Sequence, residues 1–381
     1  MSGALALHTH GRTMGVDRIE VLKVLGPEEA CITHLPPQDV LILEDSQAGP
    51  VLYRGGERPL SFSDAKDPRI IRPGDVVRLR PNSSLVSVLY RRGASANTLF
   101  ATERCNSLCL MCSQPPRDDD DSWRIDEMLR LISLIDPDEP QLGITGGEPT
   151  LLGPGLARVL EACRLYLPDT RLQILTNGRT FADPDLAERL VPIDRDGTTW
   201  AVPLYGDVAA LHDEVVAVDG AFAETLDGLF ELGRLGAQIE IRVVLHKLTI
   251  PRLPQIASFI YRNLPFVRHV ALMGLEPMGF AKSNRERLWI DPVDYLDELD
   301  SAVSHLANRG MPVSIYNLPL CVLPRPLWPF ARQSISDWKN VYPQECEGCV
   351  VRDHCAGFFA SAGPTWRSRA IHPIAIEEFA A

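Results

Sequence analysis

Residues 99–112 read Leu99-Phe-Ala-Thr-Glu-Arg-Cys105-Asn-Ser-Leu-Cys109-Leu-Met-Cys112. The apolar start predicts a strand over 99–102, and the three cysteines follow it on a loop. Three thiolates so close in sequence can hold three irons of a four-iron cubane. Complete cysteine ligation takes four, so the fourth iron is left open or finds a distant ligand. The competing readings are a zinc site short of one ligand and a set of buried thiols.

Working outward, strand-like runs alternate with helical stretches, the layout of parallel βα units. Residues 123–135 form an amphipathic helix, with Ile125, Met128, Leu129, Ile132 and Ile135 at helical spacing. A strand over 141–145 ends on Gly146-Gly147, and one over 172–176 ends on Asn177-Gly178. Further strands are expected at 201–205, 239–245 and 267–273, with helices at 156–166, 222–235 and 252–262. With the strand at 99–102 this makes six units, two fewer than a closed eight-stranded barrel needs. The expected fold is therefore α/β: a partial (β/α)6 TIM-like barrel over residues 96–285.

The flanks differ from this core. Residues 1–95 show short β-branched runs, such as Val76-Val77-Arg78-Leu79, punctuated by Gly55-Gly56 and Pro73-Gly74-Asp75, and read as a small β-rich domain. Residues 286–381 are expected to hold a helix over 294–309 and a strand over 313–316. Beyond these, Pro324, Pro326 and Pro329 break regular structure and four cysteines follow a second pattern: Cys321, Cys346-Glu-Gly-Cys349 and Cys355. A proline-rich segment with four thiols is expected to fold around metal, either a second four-iron cluster or a structural zinc ion. His354 beside Cys355 reads as a surface residue, Cys31 and Cys163 as small core residues, and the acidic run 118–121 as a solvated loop.

Composition sets the class. The chain of 381 residues is 45% hydrophobic and 23% charged, the balance of a globular protein. A net charge of −12 argues against broad binding to nucleic acid, which needs a cationic surface. No run is long and apolar enough for a membrane span, and the N-terminus lacks the layout of a secretory signal. Seven of nine cysteines fall into two groups, a usage that suits metal binding in a reducing compartment, so the expected location is the cytoplasm.

The loop Cys-x3-Cys-x2-Cys at the end of a first βα strand resembles the radical S-adenosylmethionine (SAM) superfamily. The likeness extends to Gly146-Gly147-Glu148-Pro149, where the superfamily receives the methionine amino group, and to Thr176-Asn177-Gly178 at the third strand end. It also includes Gly206, His212-Asp213 and Gly220-Ala-Phe222, a stretch common in peptide-modifying members. The resemblance implies that Cys105, Cys109 and Cys112 ligate the first cluster, that Arg242 pairs with the SAM carboxylate, and that Met273 and Gly274 lie near adenine. Two positions depart from the pattern. Met111 stands where an aromatic residue commonly packs on adenine, and Pro203 where a hydroxyl residue often contacts SAM. If Arg242 points inward, strand alternation sends Tyr205 and His246 the same way, to touch substrate, to move a proton, or merely to line the barrel mouth.

Within the superfamily the chain resembles the His-Xaa-Ser system radical SAM maturases. That likeness rests on Arg104–Ser107, on Met111-Cys112-Ser113-Gln114-Pro115-Pro116, and on the tail from Asn317-Leu-Pro-Leu-Cys321 to Cys355-Ala-Gly-Phe-Phe. It implies a ribosomally made precursor peptide or protein as substrate, with His-Xaa-Ser repeats. The deoxyadenosyl radical abstracts a hydrogen atom, and a second four-iron cluster on Cys321, Cys346, Cys349 and Cys355 takes up the surplus electron, giving an oxidative crosslink or related modification. The implied partners are an electron donor such as flavodoxin or ferredoxin and a second maturase. The alternatives are a radical SAM enzyme acting on a small metabolite or RNA, and a non-catalytic iron–sulfur partner of another maturase. The β-rich domain is either the peptide-recognition element or a cap on the barrel. In the first case, removing it should spare SAM cleavage.

Overall fold

The computed structural model describes residues 8–10, 16–46, 49–54, 58–61, 70–334 and 340–377. Two sheets organise them. The first contains β1 (His8–His10), β2 (Glu20–Leu25), β3 (Val40–Ser46), β4 (Gly49–Arg54), β5 (Arg58–Ser61), β6 (Val76–Leu79) and β7 (Leu85–Tyr90) in the spatial order β1-β7-β6-β2-β3-β4-β5. Only β2 and β3 pair in parallel; the short helix Pro27–Ile32 lies between them in the chain. That helix buries none of its residues, so Cys31 is exposed and is not the core residue its neighbours in sequence suggest.

The second sheet is wholly parallel. Its strands are β8 (Asn97–Phe100), β9 (Gln141–Thr145), β10 (Arg171–Leu175), β11 (Thr198–Pro203), β12 (Gln238–Leu245), β13 (His269–Gly274), β14 (Val313–Tyr316) and β15 (Ala331–Arg332), side by side in chain order. The first six correspond to the expected βα strands, but β8 and β11 end two residues earlier than expected, so Tyr205 follows β11 rather than lying in it. The sheet then continues past residue 285, because β14 pairs with β13 from Val270↔Val313 to Met273↔Tyr316 and β15 adds a two-residue edge. Helices Trp123–Ile132, Pro154–Tyr166, Pro184–Leu190, Ala221–Arg234, Leu253–Asn263 and Leu296–Ala307 carry the crossovers.

Alternation along each strand divides the sheet into two faces. On β12, Ile239, Ile241, Val243 and Leu245 are buried in the main core, leaving Glu240, Arg242 and Val244 on the opposite, inner face. That core also contains Val21, Val76 and Tyr90 of the first sheet, packed with Leu131, Ile132, Leu134 and Ile135. Polar contacts join the same surfaces: Lys23 Nζ–Asp136 (2.9 Å), Arg92 Nε–Asp136 (2.7 Å), Arg78–Glu127 (3.0 Å) and Tyr90 Oη–Glu139 (2.9 Å). Among the described residues, no helix is long and apolar enough to cross a membrane.

Candidate metal and SAM site

The cysteine loop is held from all sides. Strand pairing runs on beyond β8 and β9, with Ala101 N donating to Thr145 O (2.7 Å), Gly147 N to Thr102 O (2.7 Å) and Glu148 N to Arg104 O (2.8 Å). Leu108 N and Leu110 N donate to Val216 O and Val215 O (3.0 and 2.9 Å), while Phe280 N and Asn284 Nδ2 donate to Cys112 O and Leu110 O (2.8 and 2.9 Å). Arg179 donates to Asn106 O and to Ser107 Oγ (3.0 Å), and its Nε pairs with Glu224 (2.7 Å).

The acidic run before the first long helix is not wholly solvated. Asp118, Asp119 and Asp120 are exposed, but Asp121 is 3% exposed. Its carboxylate accepts from Thr102 Oγ1 (3.0 Å) and Glu103 N (2.6 Å) and lies near Arg124 and Arg104 (3.5 and 3.7 Å). It fixes the base of the cysteine loop, a role that the run of like charges conceals.

The two glycines of 146–149 serve this packing. Gly146 has φ +144°, and a Cβ there would overlap the Thr102 carbonyl oxygen; a Cβ on Gly147 would overlap that of Arg104. Both obstacles are backbone. Gly147→Ala should therefore shift residues 102–104, cost about 1–3 kcal/mol and lower the iron retained after reconstitution. Iron content and melting temperature equal to wild type would show that the loop can give way.

Glu148 is fully buried. Its Oε1 accepts from Thr150 N (3.1 Å), Thr150 Oγ1 (2.6 Å) and Thr176 Oγ1 (2.6 Å), and its Oε2 from Asn177 N (2.6 Å). A carboxylate offers about four lone-pair sites, two on each oxygen, so the Oε2 side retains capacity. No ion pair to Glu148 forms among the described residues, and burial pushes its carboxyl pKa up against the pull of these donors. A cation at Oε2 would complete the site. Thr176 and Asn177 link the β10 end to this carboxylate, and Asn177 Nδ2 reaches Asn106 Oδ1 (2.5 Å) and Cys105 Sγ (3.9 Å).

The three thiols feel one another. Burial pushes Cys105 up to about 11 and Cys109 to about 12, and neighbouring cysteine charges add to both shifts. Met111 of the loop packs in one buried cluster with Tyr205 and with Val244 of β12, which brings the cysteine loop and the inner face of β12 to one place. The sequence of residues 99–260 matches the radical SAM superfamily. The chain carries a radical SAM domain. No curated protein matches it. Among solved structures, anSMEcpe with bound AdoMet and Cp18Cys peptide is 14% identical, over 72% of this chain and 91% of that one, with a TM-score of 0.50. SuiB of Streptococcus suis bound to precursor peptide SuiA is 15% identical over 57% of this chain, with a TM-score of 0.44. A radical SAM methyltransferase from Sphaerobacter thermophilus is 12% identical over 82% of both chains, with a TM-score of 0.43. At such identities the likeness is one of fold, and the chain spans about half the length of SuiB (48%).

A radical SAM domain implies SAM and a four-iron cluster, and the donor set fits both: three adjacent thiols for iron, and a buried carboxylate lacking a cation for the SAM ammonium. Other SAM-contact candidates have structural occupations too. Met111 is buried with Tyr205, Val215, Leu275 and Leu288, so its side chain anchors the cysteine loop. Met273 is half-buried on β13, and a Cβ on Gly274 would come within 2.6 Å of Asn317 O, so this glycine lets β13 and β14 close together. Pro203 pairs in register with Arg242.

Tyr205 and His246 are both buried, with ring centroids 6.4 Å apart. Tyr205 N donates to His212 Nδ1 (3.3 Å), and Asp213 accepts from Gly220 N and Phe222 N (2.8 and 2.7 Å), which accounts for the His212-Asp213 and Gly220-Ala-Phe222 pattern by local structure. His246 Nδ1 accepts from Leu248 N (3.3 Å), which puts the ring proton on Nε2, an atom without a hydrogen-bond partner among the described residues. Burial lowers the His246 pKa to about 3 and raises that of Tyr205 well above its ordinary value. Near neutral pH both are uncharged and weakly disposed to exchange protons.

Three cysteines of the second group, Cys321, Cys349 and Cys355, pack in one cluster with Leu320, Val351 and Ile374, and Cys346 packs in another with Phe358 and Phe359. Cys321 senses Cys355, Cys346 and Cys349, and burial pushes it up to about 11. Backbone N–H groups point at these sulfurs: His372 at Cys321, Ile374 at Cys349 (3.4 Å), and Leu320 and Gly357 at Cys355 (3.3 and 3.4 Å). Such donors suit thiolate ligands, whose charge they stabilise. Among the described residues no three His, Cys, Asp or Glu side chains converge on a point for one metal ion. Cubane thiolates bind separate irons and stand farther apart. His354 is exposed, and Cys163 is buried in its helix.

Proposed function

We propose that the chain is a radical SAM enzyme that oxidatively modifies a ribosomally made peptide. The observation that carries the reading is geometric. At the C-terminal ends of the parallel strands Asn177 reaches both Cys105 Sγ (3.9 Å) and the buried Glu148 Oε2 (2.6 Å), while Met111 of the cysteine loop packs with Tyr205 and with Val244, two residues after Arg242 on the same face of β12. In a βα barrel that end is the functional one.

When bound, the cluster supplies one electron to SAM, whose cleavage gives methionine and a 5′-deoxyadenosyl radical. The chain's own residues do the rest. Cys105, Cys109 and Cys112 hold the cluster, with Asn177 and Arg179 fixing their loop. Glu148 Oε2 receives the SAM ammonium, and Arg242 the carboxylate, as charge-assisted bonds. Tyr205, Met111 and Leu275 form an apolar wall that keeps water from the radical. Cys321, Cys346, Cys349 and Cys355 would hold a second cluster, which would supply an acceptor for the surplus electron. A peptide substrate agrees with the resemblance to His-Xaa-Ser maturases, and the peptide-bound anSMEcpe structure is a fold neighbour.

Anaerobically reconstituted protein should release 5′-deoxyadenosine from SAM with dithionite, and mass spectrometry of a co-expressed precursor peptide should show loss of hydrogen. SAM cleavage without any peptide modification would favour a small substrate. No cleavage would leave a non-catalytic iron–sulfur partner. Arg242→Ala should weaken SAM binding about ten- to a hundredfold, the worth of one charge-assisted contact, with both clusters still assembled. Unchanged affinity would remove Arg242 from the carboxylate site.

A further inference from the structure

The inner face of the barrel carries a polar chain that the function above leaves unused. Glu240, two residues before Arg242 on β12, is 8% exposed. Its Oε1 accepts from Arg242 Nε (2.8 Å) and Gln173 Nε2 (3.3 Å). Its Oε2 lies 2.9 Å from His269 Nδ1, and His269 Nε2 lies 3.0 Å from Ser314 Oγ. The chain crosses from β10 through β12 and β13 to β14, so four strands fix one carboxylate.

The arrangement has a specific consequence for Arg242. A guanidinium carries five donors in a rigid plane. Gripping it at Nε sets the plane and leaves Nη1 and Nη2, which make no hydrogen bond among the described residues, on the edge that pairs with carboxylates. An unanchored arginine would lose rotamer freedom on binding, whereas one already held loses little. Glu240 itself stays charged in a buried place, because His269 and Arg242 hold its carboxyl below the usual range against desolvation.

We propose that Glu240, anchored through His269 and Ser314, is a positioning residue that presents the terminal nitrogens of Arg242 to the SAM carboxylate. The inference rests on the assignment of Arg242 made above. Neither Glu240 nor His269 is signalled by any motif: Glu240 sits in an ordinary strand, and its partners are Arg242 on that strand, Gln173 on β10 and His269 on β13.

The test uses reconstituted holoprotein and two ligands, SAM and decarboxylated SAM, with dissociation constants measured for each. Glu240→Ala should weaken SAM about tenfold and leave decarboxylated SAM unchanged. Glu240→Gln, which keeps an acceptor oxygen for Arg242 Nε, should restore most of the loss. Adding Glu240→Ala to Arg242→Ala should cost nothing more. If Glu240→Ala does not accumulate, Glu240→Leu fills a similar volume without an acceptor and carries the same expectation. Equal losses for both ligands, or no loss for SAM, would overturn the positioning role. If Arg242→Ala itself leaves SAM binding intact, the underlying assignment fails and the inference falls with it. If Arg242→Ala weakens SAM but the Glu240 variants do not, only the inference fails.

Discussion

Replacing Cys105, Cys109 and Cys112 together with alanine is expected to abolish 5′-deoxyadenosine formation and to reduce iron from about eight to about four atoms per chain, as for the loss of one of two cubanes. The half that stays is the informative part. The thiols of the second group lie at 321, 346, 349 and 355 and are covered by the segment at 372–374, and among the described residues none of their N–H···S contacts involves the first loop. That group should therefore assemble independently of the first cluster. The loop itself should survive, because what holds it is backbone hydrogen bonding, Asp121 and Arg179 rather than metal. Iron and zinc analysis beside SAM cleavage decides the matter. Stoichiometric zinc with one cluster in the wild type would replace the auxiliary cluster with a structural zinc site, and total iron loss in the triple variant would couple the two centres.

The strands of the barrel were legible because each is a short β-branched run bounded by glycine, asparagine or a helix, a local signal. The cysteines of both centres were legible by spacing. What escaped is what depends on chain ends meeting in space. Asp121 hides in a run of four aspartates, yet only it reaches Thr102 and Glu103. Arg179 and Asn106 carry no spacing signal, and they meet across 73 residues of sequence. Continuation of the sheet into β14 was concealed because the helix before it and the proline-rich tail after it looked like a separate layer. The Gly146-Gly147 pair was visible, but its reason was not: the glycines accommodate the carbonyls of Thr102 and Arg104, a constraint of packing that exists before any ligand binds.

Deleting residues 1–90 should do more damage than removal of a peptide-docking appendage would. Val21, Val76 and Tyr90 belong to the same core as Leu131, Ile132, Leu134 and Ile135, and burying each such side chain is worth about 1.5–3 kcal/mol. The deletion also removes polar contacts from the same surface: Asp136 loses Lys23 while keeping Arg92, and Glu139 loses the Tyr90 hydroxyl. Against a typical total of about 5–15 kcal/mol, these losses are enough to unfold the barrel. The truncated chain is expected to aggregate, or to melt more than about 10 °C lower at the conversion of about 2–4 °C per kcal/mol, and to lose SAM cleavage along with any peptide modification. A truncated protein that melts and cleaves SAM like the wild type would show that the first sheet is dispensable to the barrel. Recognition is better tested at the outer edge, where β4 and β5 lie farthest from β7 in the sheet order. An exposed strand edge is the element that pairs with an incoming peptide backbone. Replacing residues 47–69 with a short linker should leave SAM cleavage unchanged and abolish modification of the full-length peptide; undiminished modification would assign recognition elsewhere.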